Sequence, residues 1–300
     1  MRKPKPDYAL EPSPIPKSAT FLRQLSKRYY GLLNSGSVNE QVVQDFLEEH
    51  SELIPVPWML NHGVHFGLVI SKFALDTSLK SDFAYLTKST AEWYLTLMEL
   101  EHPSKPIFTA NKKVPTFSAE FNAALGQIDS WKAFLEHHRD EVKTRLSSLL
   151  GHMRNNRLRF KFVLVYGRNS ELESSQDRID RFGQLNGHDL KVLTYDSLIT
   201  GLRHRGGTRK NILTVARRAF KLKHLNCYPG SLFAYLSPHD IEVSDEQIAA
   251  LEAQDFQMHK WQNGSLLSWN QRYPDAQSFH ESDHFKNILK PRESSKNRRQ

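Results

Sequence analysis

Two hydrophobic periods alternate along the chain and predict helices in some segments and strands in others. Apolar residues recur at helical spacing behind Asn39, a residue type that caps helix N-termini, which predicts a helix over residues 40–52. The same spacing over 118–138 predicts a longer amphipathic helix, and a short helix is predicted over 21–33. Helices therefore flank the segment in which the pattern changes.

Between residues 64 and 110 the period becomes two. The stretches "VHFGLVI", "SDFAYL" and "EWYLTLMELE" predict three strands of an antiparallel meander. Further along, "RFKFVLVYGR" and "KVLTY" predict buried strands on either side of a polar helix at 171–186, and Asp196 is a candidate cap for the next helix. A strand-helix-strand crossover favours parallel pairing, so the predicted sheet is mixed.

Composition changes at both ends of the chain and predicts three parts. Residues 1–37 begin with five prolines in twenty positions, which predicts a flexible, basic, proline-rich arm with a short helix. The core is expected over 38–238, including a basic helical segment at 197–238. Residues 239–300 are predicted to form a partly disordered C-terminal extension.

The single cysteine, Cys227, excludes an internal disulfide and a cysteine-based zinc site, and it fits a reducing compartment. No apolar run reaches the roughly 18–20 residues that a membrane span needs. These features predict a cytoplasmic protein without a membrane anchor. The chain also lacks a glycine-rich phosphate-binding loop, so no nucleotide cofactor is predicted.

The net charge of +8 is concentrated in one segment. Residues 197–238 contain eight Lys or Arg and no Asp or Glu. Clustered cations without acids attract phosphate regardless of base sequence, so residues 203–224 within this segment are a candidate DNA-backbone surface, with a solvated face of a helix pair as the alternative. The candidate DNA-binding residues are Arg203, Arg205, Arg209, Lys210, Arg217 and Arg218.

Acidic residues follow two neighbouring predicted strands. Asp82 lies in "SDF", and Glu99 and Glu101 lie in "MELE", where the period of two directs both glutamates to the same side. Such carboxylates form a hard oxygen site suited to Mg²⁺ or Mn²⁺, although acids at strand ends are also commonly just solvated. Glu99 ends an apolar run, where an unpaired carboxylate is costly to desolvate, which favours the metal site.

The order of these features resembles the nuclease domain of the Shedu family of bacterial antiphage proteins, a branch of the PD-(D/E)XK superfamily. The resemblance covers roughly residues 38–205 and rests on a helix with Glu40 and Gln44, "SDF", "LMELEHPSKPIF", a helix with Gln127 and Trp131, "FVLVYGR" and "VLTYDSLI". It implies a restriction-endonuclease-like α/β (α+β) core with a mixed sheet flanked by helices.

The resemblance also implies roles for individual residues. Asp82 and Glu99 fill the two acidic metal-ligand positions, Glu40 adds an acid from the first core helix, and Gln127 lies near the site. It further implies a metal-dependent DNA endonuclease in antiphage defence that assembles as a homo-oligomer, a tetramer.

The sequence departs from the superfamily pattern at Glu101, where a lysine is usual. Glu101 could bind metal so that a second ion replaces the lysine, a neighbour such as His102, Lys105 or Lys113 could supply the charge, or the site could be inactive. The alternative function is therefore a catalytically inactive DNA-binding or regulatory module with a nuclease fold. A third hypothesis is an adaptor built around the terminal segments.

Overall fold

An eight-stranded mixed sheet forms the centre of the fold in the computed structural model, which describes residues 18–110, 114–216, 219–229 and 232–267. The strands are β1 (Leu68–Ala74), β2 (Lys80–Lys88), β3 (Glu92–Leu100), β4 (Arg157–Val165), β5 (Leu190–Leu193), β6 (Asn211–Val215), β7 (Phe220–His224) and β8 (Ile241–Glu242). Their order across the sheet is β5-β4-β3-β2-β1-β6-β7-β8.

The strand pairing confirms both parts of the predicted sheet. Strands β1, β2 and β3 form an antiparallel meander, in which Ile70 lies opposite Ala84 and Phe83 lies opposite Met98. Strands β3, β4 and β5 are parallel, as the predicted crossover requires. The fold is thus the expected α/β arrangement with a mixed sheet flanked by helices.

Helices cover both faces of the sheet. The α-helices of the described residues are α1 (Ala19–Leu33), α2 (Glu40–Glu49), α3 (Ala119–His137), α4 (Arg139–Arg145), α5 (Ser147–Leu150), α6 (Asn169–Leu172), α7 (Gln176–Gly183), α8 (Tyr195–Arg205), α9 (Asp245–Glu252) and α10 (Met258–Gln262). None of them is both long and apolar enough to cross a membrane.

Strand β3 shows how the two faces are separated. Trp93, Leu95 and Leu97 pack in a cluster that also contains residues of α3, α9 and α10, whereas Met98 and Leu100 pack with α1, α2 and α8. Alternate side chains of a strand point to opposite faces, so Glu99 lies on the same face as Trp93, Leu95 and Leu97, two positions beyond Leu97.

Three predictions about the second half of the chain were wrong in detail. The helix predicted at 171–186 is two short helices, α6 and α7. Asp196 does not cap α8, because the Thr194 side chain accepts from the Ser197 amide, and Asp196 instead pairs with Arg168. Among its described residues, the basic segment 197–238 is helical only through Arg205 and near residues 232–234, and it contains the β6–β7 hairpin.

The terminal segments pack on the core where the structure describes them. Tyr29 of α1 is buried and donates to the Tyr195 carbonyl oxygen at 3.0 Å. Beyond residue 238, Trp261 of α10 is buried and donates to the Leu236 carbonyl oxygen at 2.7 Å. The predicted arm at 1–17 and the tail at 268–300 lie outside the described residues, and the domain boundaries stay predictions.

Candidate metal centre

The two leading acidic residues lie together at one end of the β2–β3 ladder. The last regular pair of that ladder is Phe83 with Met98, and Asp82 and Glu99 are the next residues on each strand. The Asp82 carboxylate accepts a hydrogen bond from the Leu100 amide at 2.7 Å. The antiparallel meander therefore brings together two acids that are seventeen positions apart in the sequence.

Glu99 has a largely buried carboxyl group whose pKa is raised. Its Oε1 accepts from Gln127 Nε2 of α3 at 2.5 Å, whereas its Oε2 is buried and has no hydrogen-bond partner among the residues that the structure describes. Burial first, and then the negative charges of Asp82 and Glu101, raise the pKa of Glu99 to about 9, against the opposing effects of Gln127 and Lys72. Glu99 is thus protonated near neutral pH unless a cation binds beside it.

Glu101 follows β3 and is held by its backbone. Its amide donates to the Val165 carbonyl oxygen at 3.0 Å, and its carbonyl oxygen accepts from the Tyr195 hydroxyl. Its carboxylate forms an ion pair with Lys105, whose ammonium also lies 3.9 Å from Glu40 at the start of α2. The structure therefore brings Glu40 to the margin of the site through Lys105.

Lys72 of β1 is a residue of the site that the sequence analysis missed. Its Nζ lies 2.6 Å from Asp82 Oδ1, and its charge acts on Glu99. Lys72 has a φ of 55°, a left-handed conformation that is uncommon for a non-glycine residue and rare inside a strand. A lysine within the apolar stretch "LVISKFA", beside the strand that carries Asp82, was the available signal.

The strain at Lys72 coincides with a break in the alternation of β1. With strict alternation, side chains at even and odd positions would lie on opposite faces of the sheet. Here two residues at even positions before Lys72 and two at odd positions after it pack in the same core cluster: Leu68, Ile70, Phe73 and Leu75. An irregular residue that re-aims a side chain in this way is typical of bulged strands near functional sites. The irregularity is consistent with placing the Lys72 ammonium beside Asp82.

The donor set suits a hard divalent cation in its chemistry, but its oxygens are mostly engaged. Lys72 and the Leu100 amide occupy the oxygens of Asp82, and Lys105 occupies Glu101. No group of three His, Cys, Asp or Glu side chains in the described part of the chain is arranged to hold a metal. The buried, unpartnered Oε2 of Glu99 is the observation that favours a cation at this point.

The predicted DNA-binding residues have different surroundings. Arg203 and Arg205 are exposed on the last turn of α8, and Arg203 donates to the Ser26 hydroxyl at 2.7 Å. Arg209 is half-exposed, and its Nε lies 3.7 Å from the Glu52 carboxylate. Arg217 and Arg218 lie outside the described residues, as does Lys113, one of the candidate replacements for the missing lysine.

Lys210 does not belong to an exposed surface, and its assignment there was wrong. Its side chain is 2% exposed, and its ammonium donates to the carbonyl oxygens of Ser51, Ile54 and Thr208. Burial lowers the pKa of Lys210 to about 8. The three carbonyl groups use all three of its donors, so Lys210 ties the start of β6 to the loop after α2.

Comparison with known proteins places the chain in a family. No curated protein matches the sequence of the chain. The family model for the C-terminal region of the Shedu protein SduA matches residues 37–199, a segment that includes Asp82, Glu99, Glu101 and Gln127. Because the match covers more than half of the 300 residues, the chain belongs to the Shedu family.

Proposed function

We propose that the protein is a metal-dependent DNA endonuclease that acts in antiphage defence. Membership of the Shedu family suggests antiphage defence. The observation that carries the nuclease assignment is the buried Oε2 of Glu99, which has no hydrogen-bond partner among the described residues. The negative charges of Asp82 and Glu101 raise the pKa of the same carboxyl group. An acidic cluster with an unsatisfied buried oxygen is a place where a cation is stabilising.

Asp82, Glu99 and Glu101 are the residues that would hold Mg²⁺ or Mn²⁺. Such an ion, when bound, activates water and stabilises the charge that develops on a phosphodiester. Gln127 orients Glu99 through its 2.5 Å hydrogen bond, and Glu40 lies at the margin of the site beside Lys105. These contacts hold the glutamate in one orientation before a ligand arrives.

Lys72 supplies the positive charge that the superfamily usually places at the position of Glu101. Its side chain is 34% exposed, so its ammonium is accessible to a phosphate while it contacts Asp82. A fixed ammonium beside the reacting phosphate stabilises the transition-state charge. In this arrangement Glu101 is free to act as an oxygen ligand once its ion pair with Lys105 opens.

Substrate DNA is held by its backbone in this proposal. Arg203 and Arg205 project from the last turn of α8 and Arg209 lies just beyond it. Cations of this kind bind phosphates without reading base sequence. Assembly as a homo-oligomer, a tetramer, is part of the proposal by family resemblance and is checked by measuring the mass of the protein in solution.

A specific observation favours one alternative, a nuclease-fold DNA-binding or regulatory module without catalysis. Two lysines, Lys72 and Lys105, already neutralise two of the three carboxylates. If these ion pairs persist in the presence of divalent ions, the acidic cluster is a structural charge network rather than a metal site.

Plasmid cleavage distinguishes the two functions. Purified protein is incubated with supercoiled plasmid and Mg²⁺ or Mn²⁺, beside the double variant Asp82→Asn plus Glu99→Gln and the control Glu246→Gln at an exposed position of α9. We expect the wild-type protein and the control to nick the plasmid and the double variant to be at least about 100-fold slower.

Equal nicking by all three proteins would contradict the assignment of the site. Retention of plasmid by all three proteins without nicking, measured by gel shift, would support the inactive module instead. Calorimetric titration with Mn²⁺ gives a readout without cleavage, because only proteins with both acids are expected to bind the ion.

A further inference from the structure

A cavity of about 660 Å³ lies at the end of β2 opposite to the acidic cluster. Lys88 lines it and is the last residue of β2, six positions beyond Asp82. At 3.4 Å per residue this separates the cavity from the acids by roughly 20 Å. The volume is in the range of small-molecule pockets, so the cavity is a candidate site in its own right.

Flat apolar side chains form part of the wall of this cavity. The rings of Phe66 and Tyr235 have centroids 5.5 Å apart, and Tyr228 and Met59 also line the space. Tyr235 is 44% exposed and Met59 is 59% exposed, which places both among the most exposed large hydrophobic residues that the structure describes. Phe66 is partly buried and its ring also packs on His65, with centroids 3.8 Å apart, so the exposed ring is that of Tyr235. An exposed aromatic face at a cavity is suited to stacking on a planar ring.

The charge of the cavity is positive. Lys88 and Arg209 line it and no Asp or Glu is among the described side chains that do so, although the Arg209 Nε also lies 3.7 Å from the Glu52 carboxylate, which is not part of the lining. Lys88 is half-buried, lies 5.5 Å above the Trp93 ring and forms no ion pair with any described residue. Burial lowers the pKa of Lys88 and no acid opposes this effect. A partly desolvated ammonium of this kind is stabilised by an anionic ligand.

The backbone around the cavity is held in uncommon conformations. Phe66 has a φ of 54°, which is strained for an aromatic residue, and Gly63, Gly67 and Gly151 also have positive φ. Such strain persists only where the surrounding structure enforces it, and it is found preferentially at binding sites. The strained residue here is the one whose ring faces Tyr235.

We propose that this cavity binds a nucleoside phosphate, with the base stacked on Phe66 and Tyr235 and the phosphate beside Lys88 and Arg209. Two cations take the place of a glycine-rich loop, which the chain lacks. A free mononucleotide and the terminal nucleotide of a single DNA strand carry the same chemistry. The proposal does not depend on the metal site, because Asp82, Glu99 and Glu101 are not part of the cavity, although Arg209 is shared with the proposed DNA-backbone contact.

Binding is measured by calorimetry on the full chain in EDTA, which prevents cleavage. The probes are deoxyadenosine monophosphate, adenosine and a pentanucleotide of single-stranded DNA. The variants are Lys88→Gln and Tyr235→Ala, with Lys221→Gln as the control for charge and Ile179→Ala as the control for an exposed apolar residue. Thermal melting of each variant confirms that it is folded.

We expect a phosphate-bearing probe to bind at least about tenfold more tightly than adenosine, and each cavity variant to weaken that binding at least about tenfold. The controls are expected to bind as the wild-type protein does. Binding of the mononucleotide identifies a free nucleotide as the ligand, and binding of the pentanucleotide alone identifies a strand end. Absence of binding, or binding that the folded Lys88 and Tyr235 variants retain in full, would overturn the proposal.

Discussion

At the scale of single residues, the site is a competition between lysines and a metal for the same carboxylates. Asp82 and Glu101 each contact a lysine, and Glu99 is left with a buried oxygen that has no hydrogen-bond partner among the described residues. A divalent cation would displace the proton of Glu99, because the pKa of that group is raised to about 9. Metal binding is therefore expected to release a proton at neutral pH.

Lys72 provides the sharpest test of the proposed site. We expect Lys72→Met to slow plasmid nicking at least about 100-fold, because it removes the ammonium and keeps an unbranched apolar side chain that is one atom shorter. Affinity for Mn²⁺ is expected to stay equal or to rise, since a competitor for Asp82 is lost. Nicking rates and Mn²⁺ titrations measure the two effects.

The matched control is Lys80→Met, an exposed lysine at the start of β2. A merely structural role for Lys72 predicts a lower melting temperature and weaker Mn²⁺ binding together with slower nicking. Nicking by Lys72→Met at the wild-type rate would show that another group supplies the positive charge of the lysine usual at the position of Glu101. Lys105, which pairs with Glu101, is then the next candidate.

At the scale of elements, one buried carboxylate joins α2 to the sheet. Glu48 has a side chain that is 1% exposed, and it accepts from Ser71 of β1 at 2.5 Å and contacts Lys223 and His224 of β7 at 2.5 and 3.2 Å. Burial acts to raise the pKa of Glu48, but these hydrogen bonds outweigh it and hold that pKa at about 2. The α2 helix is thereby anchored to β1 and to β7, the strands on either side of β6.

This network predicts a stability effect that depends on pH. Replacing Glu48 by Gln at pH 7 is expected to lower the free energy of unfolding by about 2–3 kcal/mol. This value is smaller than for a fully buried ion pair, because Lys223 and His224 are partly solvated. The folded pKa of Glu48 lies below its ordinary value, so this stabilisation is complete above about pH 4.5 and is lost as the pH falls towards 2. Urea unfolding at several pH values measures it.

Glu49→Gln is the control, because Glu49 is the next residue on the same helix and is exposed. The difference between the two variants is expected to shrink as the pH falls below about 4.5. A difference that stays constant from pH 7 to pH 3 would show that the charge of Glu48 contributes little to stability.

At the scale of the whole molecule, the segment after residue 238 is part of the core rather than an appendage where the structure describes it. Leu251, Met258 and Trp261 are at most 2% exposed and pack in the cluster that also contains Trp131 of α3. Deleting residues 239–300 to test the adaptor hypothesis would therefore also damage the fold.

Two truncations separate these effects. A chain ending at Leu267 keeps all the residues of this cluster, whereas a chain ending at Pro238 loses β8, α9 and α10. We expect the melting temperature of the shorter chain to be lower by at least about 10 °C, because several large buried side chains are removed. Equal melting temperatures would show that β8, α9 and α10 contribute nothing to stability.

The sequence by itself determined the local pattern of this protein. Alternating apolar positions predicted β2 and β3 and therefore the neighbouring placement of Asp82 and Glu99, because an antiparallel ladder brings together residues at equal distances from its turn. Helical spacing likewise predicted α3, which carries Gln127 to the site. These features depend on periods that are visible within each segment.

Only the tertiary structure decided which charges meet. Lys72 contacts Asp82 and has a left-handed backbone conformation inside a strand, and no local pattern predicts either feature. Lys210 resembled a surface cation in the sequence but is buried against three carbonyl groups. The charge of a residue is readable from the sequence, whereas its partner depends on packing between elements that are distant along the chain.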